Sequence, residues 1–321
     1  MKSMKKTIAL LLALVMVFAL AGCGSSSSTT TTDSTASAAT EAPAADDTAA
    51  DDTAADTSAD ASAEEGFNAA DWGSDVQAIV DSGVLKVGCK SDVIGFGYMD
   101  VLTNEYEGLE IDIAYLIADY MGIDDVEFTT VTAATRGELL DSGALDCVIA
   151  TFTITDERRE SWDFTTAYYT DYVSLLVENE SGITTLADLV GTTIGVSSGS
   201  TSAKKLVEEM IDQGIIDGSS YDSDTFDPAT WTEGVSFQQY DDYPAISTGL
   251  AAGEVSAFCV DRSILAAYLT SSRSYMDAEF APQEYGIATR LDSDFSDLVE
   301  YLITTWLDDG TIDGLIDKWG L

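Results

Sequence analysis

Four charged side chains stand where predicted strands of this chain end: Lys90, Arg136, Arg158 and Asp261. A guanidinium offers a planar fork of N–H donors that matches a carboxylate, and a lysine ammonium is a compact positive charge. An ionised aspartate accepts hydrogen bonds from an ammonium group and neutralises its charge. These residue types therefore suit a small ligand that carries both signs of charge.

Short apolar or β-branched runs alternate with helical periodicity after Gly66. In the stretch Ile111–Met121 one apolar face is predicted, formed by Ile113, Leu116, Ile117, Tyr120 and Met121. The alternation predicts parallel sheets covered by helices, with ligands bound beyond the carboxyl ends of the strands. The predicted strands are Leu85–Lys90, Glu127–Val131, Cys147–Thr151, Val173–Glu178, Thr193–Ser197, Phe237–Tyr240, Ala257–Asp261 and Tyr285–Thr289.

Two extended passages, Tyr168–Val177 and Glu284–Ala288, predict a chain that leaves one lobe and later returns to it. Two lobes joined by two crossings have the geometry of a hinge. We therefore expect an α/β protein with a first lobe built from residues 66–172 and 285–321. Residues 173–284 form the second lobe, which carries a Gly- and Asp-rich insertion at about 213–235.

The N-terminus predicts a processed and anchored protein. Three lysines precede an apolar run that is too short to span a membrane, and the run ends in Leu20-Ala21-Gly22-Cys23. We expect a lipoprotein signal peptide over residues 1–22, an acyl anchor on Cys23 and a location on the extracellular face of the membrane; an ordinary secretory signal is the alternative. Residues 23–65 lack aromatic and basic residues, which predicts a disordered acidic tether.

Composition excludes several function classes. With 14 basic and 57 acidic residues, the formal net charge of −43 rules out nucleic-acid binding, which needs clustered Lys and Arg. The absence of His removes His-based metal sites and Ser-His or Cys-His catalysis. Cys89, Cys147 and Cys259 form no CxxC pair, so we expect buried thiols, no disulfide framework and neither a metal nor a cofactor.

Six segments resemble the solute-binding family (family 3) of polar amino-acid ABC transporters, in the right order from about Gly83 to Leu321. Within it, VGCKSD, TRGELL, ATFTIT and SAFCVDRSIL look most like the aspartate/glutamate-binding members. The resemblance implies a type II periplasmic-binding-protein-like fold, each lobe a mostly parallel sheet flanked by helices. The segments are GLEIDIAYLIADYMG, TRGELLDSGALDCVIATFTITDERRESWDFTTAYY, TTIGVSSGSTSAKKL, DDYPAISTGLAAGEVSAFCVDRSIL, QEYGIAT and DGLIDKWGL.

The resemblance also implies roles for individual residues. Asp261 matches the acid that receives the ligand α-ammonium. Lys90, Arg136 and Tyr243 match positions that face the ligand side-chain carboxylate, although Arg136 could instead brace its own loop and Tyr243 could simply pack. The ligand α-carboxylate would be held by Arg158, Thr151, Thr153, Ser200 and Thr201. Ser200 and Thr201 also suit plain capping of the next helix.

Only eleven cations follow Cys23, and three of them, Lys90, Arg136 and Arg158, fall at predicted cleft positions. That pattern suits a ligand with two carboxylates and one ammonium. We expect a monomeric receptor that captures aspartate or glutamate by lobe closure and delivers it to an ABC permease. The alternatives are another polar amino acid (glutamine, cystine or arginine) and a cyclohexadienyl-dehydratase-like enzyme with Asp261 as general acid. We expect no enzyme, because no second proton donor stands out at a strand end.

Overall fold

The computed structural model describes residues 67–321, in which helices and strands alternate. The α-helices of this part are α1 (Ser74–Ser82), α2 (Leu109–Met121), α3 (Arg136–Asp141), α4 (Asp156–Arg159), α5 (Ser202–Asp212), α6 (Tyr243–Ala252), α7 (Arg262–Ala266), α8 (Asp294–Asp308) and α9 (Thr311–Trp319). Short 3₁₀ helices span Ala69–Asp71, Asn179–Ser181 and Leu186–Leu189. The predicted signal peptide, the lipidated Cys23 and the tether to residue 65 lie outside the described residues.

The strands of the described part form two large sheets and one small sheet. They are β1 (Val84–Cys89), β2 (Asp92–Val93), β3 (Gly97–Met99), β4 (Tyr106–Glu107), β5 (Asp125–Thr130), β6 (Cys147–Ile149), β7 (Trp162–Phe164), β8 (Tyr169–Glu178), β9 (Thr193–Ser197), β10 (Ser236–Tyr240), β11 (Ala257–Asp261), β12 (Arg273–Tyr275), β13 (Phe280–Tyr285) and β14 (Ala288–Arg290).

The first sheet has the strand order β5-β1-β6-β14-β7. Its strands β5, β1 and β6 are parallel, and β14 and β7 extend it antiparallel. Helices α1, α2, α3 and α8 pack against these strands, α9 packs on α2 and α8, and β2, β3 and β4 form the small sheet. We call this assembly, together with α4, the first lobe.

The second sheet has the order β10-β9-β11-β8-β12, with β13 also paired to β8. Strands β10, β9 and β11 are parallel, whereas β8, β12 and β13 join antiparallel. We call this sheet with α5, α6 and α7 the second lobe. Two lobes that each hold a parallel core and covering helices confirm the predicted fold class, and the antiparallel strands are those that carry the chain between lobes or along an edge.

The two predicted crossings lie side by side. Strand β8 pairs antiparallel with β13, from Tyr169 opposite Tyr285 to Val173 opposite Phe280. The prediction of one strand over Tyr285–Thr289 is wrong, since β13 ends at Tyr285 and β14 begins at Ala288. Between them the chain leaves the second sheet for the first, and a Cβ at Gly286 would lie 2.9 Å from a methyl group of Ile154. The crossings therefore form a two-stranded ribbon.

The interior follows the apolar pattern with one exception. Ile113, Ile117 and Met121 of α2 are buried as predicted, but Tyr120 is 37% exposed and packs at the surface against Phe67 and Tyr301. The insertion at 213–235 contributes Tyr221, Phe226 and Trp231, whose rings pack against one another in tilted and edge-on arrangements beside the second lobe's core. Within residues 67–321 no helix combines the length and apolarity needed to cross a bilayer.

Candidate ligand-binding site

The carboxyl ends of the parallel strands of both lobes meet at one cleft. Lys90 follows β1, Thr151 follows β6, and Arg136 begins α3 after β5. Across the cleft, Ser200 follows β9 and Asp261 ends β11 immediately before α7, as the sequence predicts. The fold thus brings the predicted site residues of both lobes to the same edge of their sheets.

Lys90 is buried and lies between both lobes. Its Nζ is 3.2 Å from Oδ1 of Asp92 and 4.6 Å from the ring centroid of Tyr243, itself buried at the N-terminus of α6. Burial lowers the pKa of Lys90, and the Asp92 carboxylate opposes that shift. The ammonium group is thus held in place by a carboxylate on one side and an aromatic face on the other.

Arg136 is buried and partly engaged by its own lobe. Its Nη1 donates to the carbonyl oxygens of Ala150 (2.7 Å) and Thr151 (3.1 Å), and its guanidinium lies 3.7 Å from the ring centroid of Phe152. Its Nε has no hydrogen-bond partner within residues 67–321. Burial lowers the pKa of Arg136. Arg136 therefore braces the loop after β6 with one nitrogen and leaves a second donor uncommitted.

Arg158 joins the two lobes. Nη1 donates to the Thr153 carbonyl at 2.6 Å, and Nη2 donates across the cleft to the Gly199 carbonyl at 3.1 Å. The Thr155 hydroxyl accepts from the Arg158 N–H and caps α4, which fixes the start of this short helix. Burial lowers the pKa of the guanidinium to about 9, so Arg158 remains a cation at neutral pH. Its fork points toward the contact between the lobes.

Asp261 is buried beneath the cleft at the end of β11. The Tyr285 hydroxyl donates to its Oδ2 at 2.5 Å, and the same hydroxyl lies 3.3 Å from Asp171. Burial, reinforced by the charge of Asp171, raises the pKa of Asp261 to about 7, against the effects of Tyr285, Arg136 and Arg158. A cation placed beside Asp261 would favour its ionised form.

Several hydroxyl groups at the cleft are buried without a partner. Within residues 67–321 this holds for Oγ1 of Thr151 and for Oγ of Ser197 and Ser200. The Thr201 hydroxyl, by contrast, donates to Oε1 of Gln283 at 2.6 Å. A buried polar group without a hydrogen bond costs about 1–3 kcal/mol, so a bound polar molecule would stabilise this arrangement. The first turn of α5 adds N–H groups that have no partner inside the helix.

The cleft is closed, because contacts cross it at both ends. Near Lys90, Asp92 accepts from the Tyr243 N–H (3.4 Å) and the Tyr268 hydroxyl (3.3 Å) of the second lobe. At the other end Gly199 has φ +76°, and a Cβ there would lie 2.9 Å from the Ala133 carbonyl oxygen of the first lobe. Only glycine permits this approach without displacement of the neighbouring backbone.

Two site residues were missed by sequence reasoning, Asp92 and Glu110. Glu110 is completely buried in α2, where its Oε1 accepts from the Thr151 N–H and the Tyr168 hydroxyl. Burial raises its pKa to about 7. The sequence did contain a signal for Glu110: it lies three residues before Ile113 and seven before Ile117, which places an acidic residue on the apolar face of α2. A lone acid at such a position needs a tertiary partner.

Comparisons with known proteins give a family match and similar relatives. The model of the bacterial extracellular solute-binding proteins, family 3, matches residues 85–321. The glutamine-binding protein of Geobacillus stearothermophilus is 30% identical over 67% of this chain and 75% of its own length. The glutamate-binding protein GluB of Corynebacterium glutamicum is 29% identical over 81% of this chain and 83% of its own.

A solved structure extends the comparison to the fold. The ancestral amino acid-binding protein AncCDT-1, described as a precursor of cyclohexadienyl dehydratase, superposes with a TM-score of 0.63. It is 25% identical, and the superposition covers 77% of this chain and 99% of that protein.

Proposed function

This chain belongs to the bacterial extracellular solute-binding proteins, family 3, and we propose that it captures an acidic amino acid, glutamate or aspartate, for an ABC transporter. The observation that carries the proposal is the convergence of Lys90, Arg136 and Arg158 on one closed cleft. Eleven cations follow residue 23, so three in one site is a strong concentration of positive charge. A ligand with two carboxylates provides the matching negative charges.

The charge balance of the cleft supports an anionic ligand. Asp92 and Asp261 oppose the three cations from the cleft itself, and the exposed Glu157 acts on Arg158 from the surface. Glu110 acts on Lys90 and Arg136 from beneath. Since burial raises the pKa of Glu110 to about 7, this carboxyl group is only about half ionised at neutral pH. The remaining excess of positive charge favours a ligand with a net charge of −1.

We assign the ligand groups as follows. The α-ammonium binds Asp261, whose position beneath the cleft suits a cation. The side-chain carboxylate binds Lys90, with the uncommitted Nε of Arg136 and the hydroxyl of Tyr243 beside it. The α-carboxylate lies at the junction of the lobes and is bound by Arg158, Thr151, Thr153, Ser200 and Thr201. Because these groups come from both lobes, the ligand stabilises the closed form.

Glutamine is the second candidate, and a specific contact favours it. Lys90 already has a carboxylate partner, Asp92, at 3.2 Å. A side-chain amide could accept from the lysine and donate to the aspartate, so the same pair suits a neutral ligand. The glutamine-binding name of the Geobacillus relative is consistent with this alternative.

Calorimetric titration tests the ligand. The protein would be unfolded and refolded to remove co-purified ligand, then titrated with glutamate, aspartate, glutamine, arginine and cystine. We expect tight binding of glutamate or aspartate and at least tenfold weaker binding of glutamine. The reverse order would replace the acidic ligand with glutamine and keep the receptor class. Absence of heat with all five would overturn the amino-acid assignment.

We further propose that the chain is a receptor without enzymatic activity. The precursor relationship of AncCDT-1 makes dehydration of prephenate or arogenate the reaction to test. Glu110 is a second buried carboxyl group besides Asp261, yet its Oε1 is engaged by Thr151 and Tyr168. We expect no product from either substrate, and measurable turnover would reject the receptor as the sole function.

The compartment also belongs to the proposal. We propose a monomer that is held outside the membrane near its permease. Its parts are a signal peptide over 1–22, an acyl chain on Cys23, a tether over 23–65, a first lobe over 66–172 with 285–321, and a second lobe over 173–284. Metabolic labelling with palmitate in the native host tests the anchor. Cys23→Ser should abolish the label, and a label that persists would place the acyl chain elsewhere.

A further inference from the structure

We propose that Glu110 and Arg136 form a clamp on Thr151, and that Glu110 is a positioning residue for the ligand carboxylate. This inference rests on the proposed function, because it concerns the same site. Neither residue needs to touch the ligand through the groups that form the clamp. Glu110 lies behind the cleft, and Arg136 uses Nη1, which leaves its Nε for other contacts.

The conformation of Thr151 is the first step. Its φ angle is +43°, in the left-handed region that β-branched residues rarely adopt. Such a conformation persists only where surrounding contacts hold it. Thr151 is also buried, and its Oγ1 has no hydrogen-bond partner within the described residues. A strained residue with an uncommitted hydroxyl in a closed cleft points to a ligand contact.

The contacts that hold Thr151 come from opposite sides of its backbone. On the amide side, its N–H donates to Oε1 of Glu110 at 2.5 Å. On the carbonyl side, its oxygen accepts from Nη1 of Arg136 at 3.1 Å. The same nitrogen also binds the Ala150 carbonyl at 2.7 Å. Both peptide groups of Thr151 are therefore fixed by buried, charge-bearing side chains from α2 and α3.

The position of Glu110 is itself set by the first crossing. The Tyr168 hydroxyl donates to the same Oε1 at 2.6 Å, and Tyr168 is buried beside β8. Two residues beyond Thr151, the Thr153 carbonyl accepts from Arg158. The loop after β6 thus carries both an orienting contact for Arg158 and the hydroxyl of Thr151. Release of the clamp would disturb both at once.

A double-mutant cycle on the full chain tests the clamp. Glu110→Leu removes the acceptor, Glu110→Gln keeps an oxygen in its place, and Thr151→Gly removes the strain together with the hydroxyl. With glutamate as the titrant, we expect Glu110→Leu to weaken binding at least tenfold and Glu110→Gln to stay within about threefold. In the Thr151→Gly background, Glu110→Leu should weaken the binding of glutamate by less than a further threefold. Equal losses from Glu110→Leu in both backgrounds would overturn the proposal.

A control separates positioning from a general loss of stability. Glu178 binds Arg273 through Oε1 at 2.7 Å in the second lobe, away from the cleft. Glu178→Leu also removes a partly buried carboxylate, and we expect it to lower the melting temperature while leaving the affinity within about threefold. A loss of affinity in Glu178→Leu equal to that in Glu110→Leu would mean that the effect of Glu110 is structural only.

A second measurement needs neither a ligand nor a variant that folds. In the ligand-free wild-type protein, the clamp predicts that the Thr151 amide hydrogen exchanges at least a hundredfold more slowly than an unprotected amide. Exchange at the unprotected rate would overturn the clamp even if Glu110→Leu fails to fold. Protection of this amide in a protein that binds none of the tested amino acids would instead locate the failure in the proposed function.

Discussion

The hydroxyl of Tyr285 lies 2.5 Å from Oδ2 of Asp261, so a residue at the end of a crossing strand holds the carboxylate assigned to the ligand ammonium. Tyr168, just before the other crossing strand, holds Glu110 in the same way. The backbones of the two tyrosines are joined by a hydrogen bond of 2.9 Å. The hinge and the floor of the site are therefore one hydrogen-bonded unit.

The first prediction concerns pH. Burial raises the pKa of Asp261 to about 7, and a bound ammonium lowers it, so binding below pH 7 must release a proton. We expect affinity for the ligand to fall by up to about tenfold per unit as pH drops from 7 to 5. Titration calorimetry in buffers of different ionisation enthalpy measures the proton release directly.

Tyr285→Phe should move this pH profile upward. The hydrogen bond from Tyr285 lowers the pKa of Asp261, so its removal raises that pKa further. Tyr172→Phe, on the same ribbon but exposed, serves as the control and should leave the profile unchanged. A pH-independent affinity between 5 and 8 in the wild-type protein would contradict the assignment of Asp261.

Arg158→Ala should abolish tight binding. The substitution leaves a ligand carboxylate without its partner in a closed cleft, at a cost of about 3–5 kcal/mol. That cost corresponds to a loss in affinity of roughly two to four orders of magnitude. Arg159→Ala is the matched control, since the neighbouring side chain is exposed and donates to the Phe164 carbonyl, away from the cleft. Equal affinities for Arg158→Ala and the wild type would contradict the assignment of Arg158 to the ligand α-carboxylate.

Lys90 and Asp92 should set the choice between glutamate and glutamine. Asp92→Asn removes the negative charge beside Lys90, and we expect the ratio of glutamate to glutamine affinity to rise about tenfold. Lys90→Gln should lower that ratio at least tenfold. Lys204→Gln, whose amine lies 3.9 Å from the exposed Glu157, controls for net charge. Unchanged ratios in both cleft variants would place specificity elsewhere.

Gly199→Ala should hinder closure. Its Cβ would lie 2.9 Å from the Ala133 carbonyl oxygen, and φ at this position is +76°. Gly191 has a comparable φ of +85°, but a Cβ there would meet no atom within 4 Å, so Gly191→Ala isolates the backbone strain. We expect a ligand-dependent decrease in radius of gyration by X-ray scattering in Gly191→Ala and a smaller one in Gly199→Ala. Identical decreases would show that the close approach is unimportant.

Glu110 should make the fold more stable in acid than in base. Its pKa is raised in the folded state, so its stabilising contribution is lost as pH rises from about 4.5 through 7. The shift corresponds to about 3 kcal/mol of unfolding free energy. Glu110→Gln should flatten the dependence of unfolding free energy on pH between 5 and 8, as measured by urea denaturation. An unaltered slope would show that Glu110 does not titrate there.

Local pattern predicted much of this molecule. The strands Thr193–Ser197 and Ala257–Asp261 have the predicted bounds, and Arg136 begins a helix as expected, because apolar runs and helix starts are encoded within a few residues. Strands β2, β3, β4, β7 and β12 were missed, since segments of two or three residues carry no periodicity. The break after Tyr285 was also missed, because a continuous extended passage hides a change of sheet.

The residue types of the site could be predicted from the sequence, but most contacts between the site residues and their neighbours could not. That Lys90, Arg136, Arg158 and Asp261 meet at one cleft follows from their places at strand ends. The hydrogen bonds from Arg136 to the Ala150 and Thr151 carbonyls could not be predicted in this way, because those contacts depend on how α3 packs against β6. Glu110 gains its importance from Thr151 and Tyr168, which are distant in sequence. Asp92 is near Lys90 in sequence, but its contacts with Tyr243 and Tyr268 across the cleft depend on the tertiary fold.

The three buried thiols can serve as natural reporters of unfolding. Cys89 and Cys147 lie in the first sheet and Cys259 in the second, all fully buried and free, and burial raises the pKa of each thiol. An alkylating reagent can therefore reach any of these three thiols only when the surrounding sheet opens. Mass spectrometry of the labelled peptides would time the unfolding of each lobe independently, without any introduced probe.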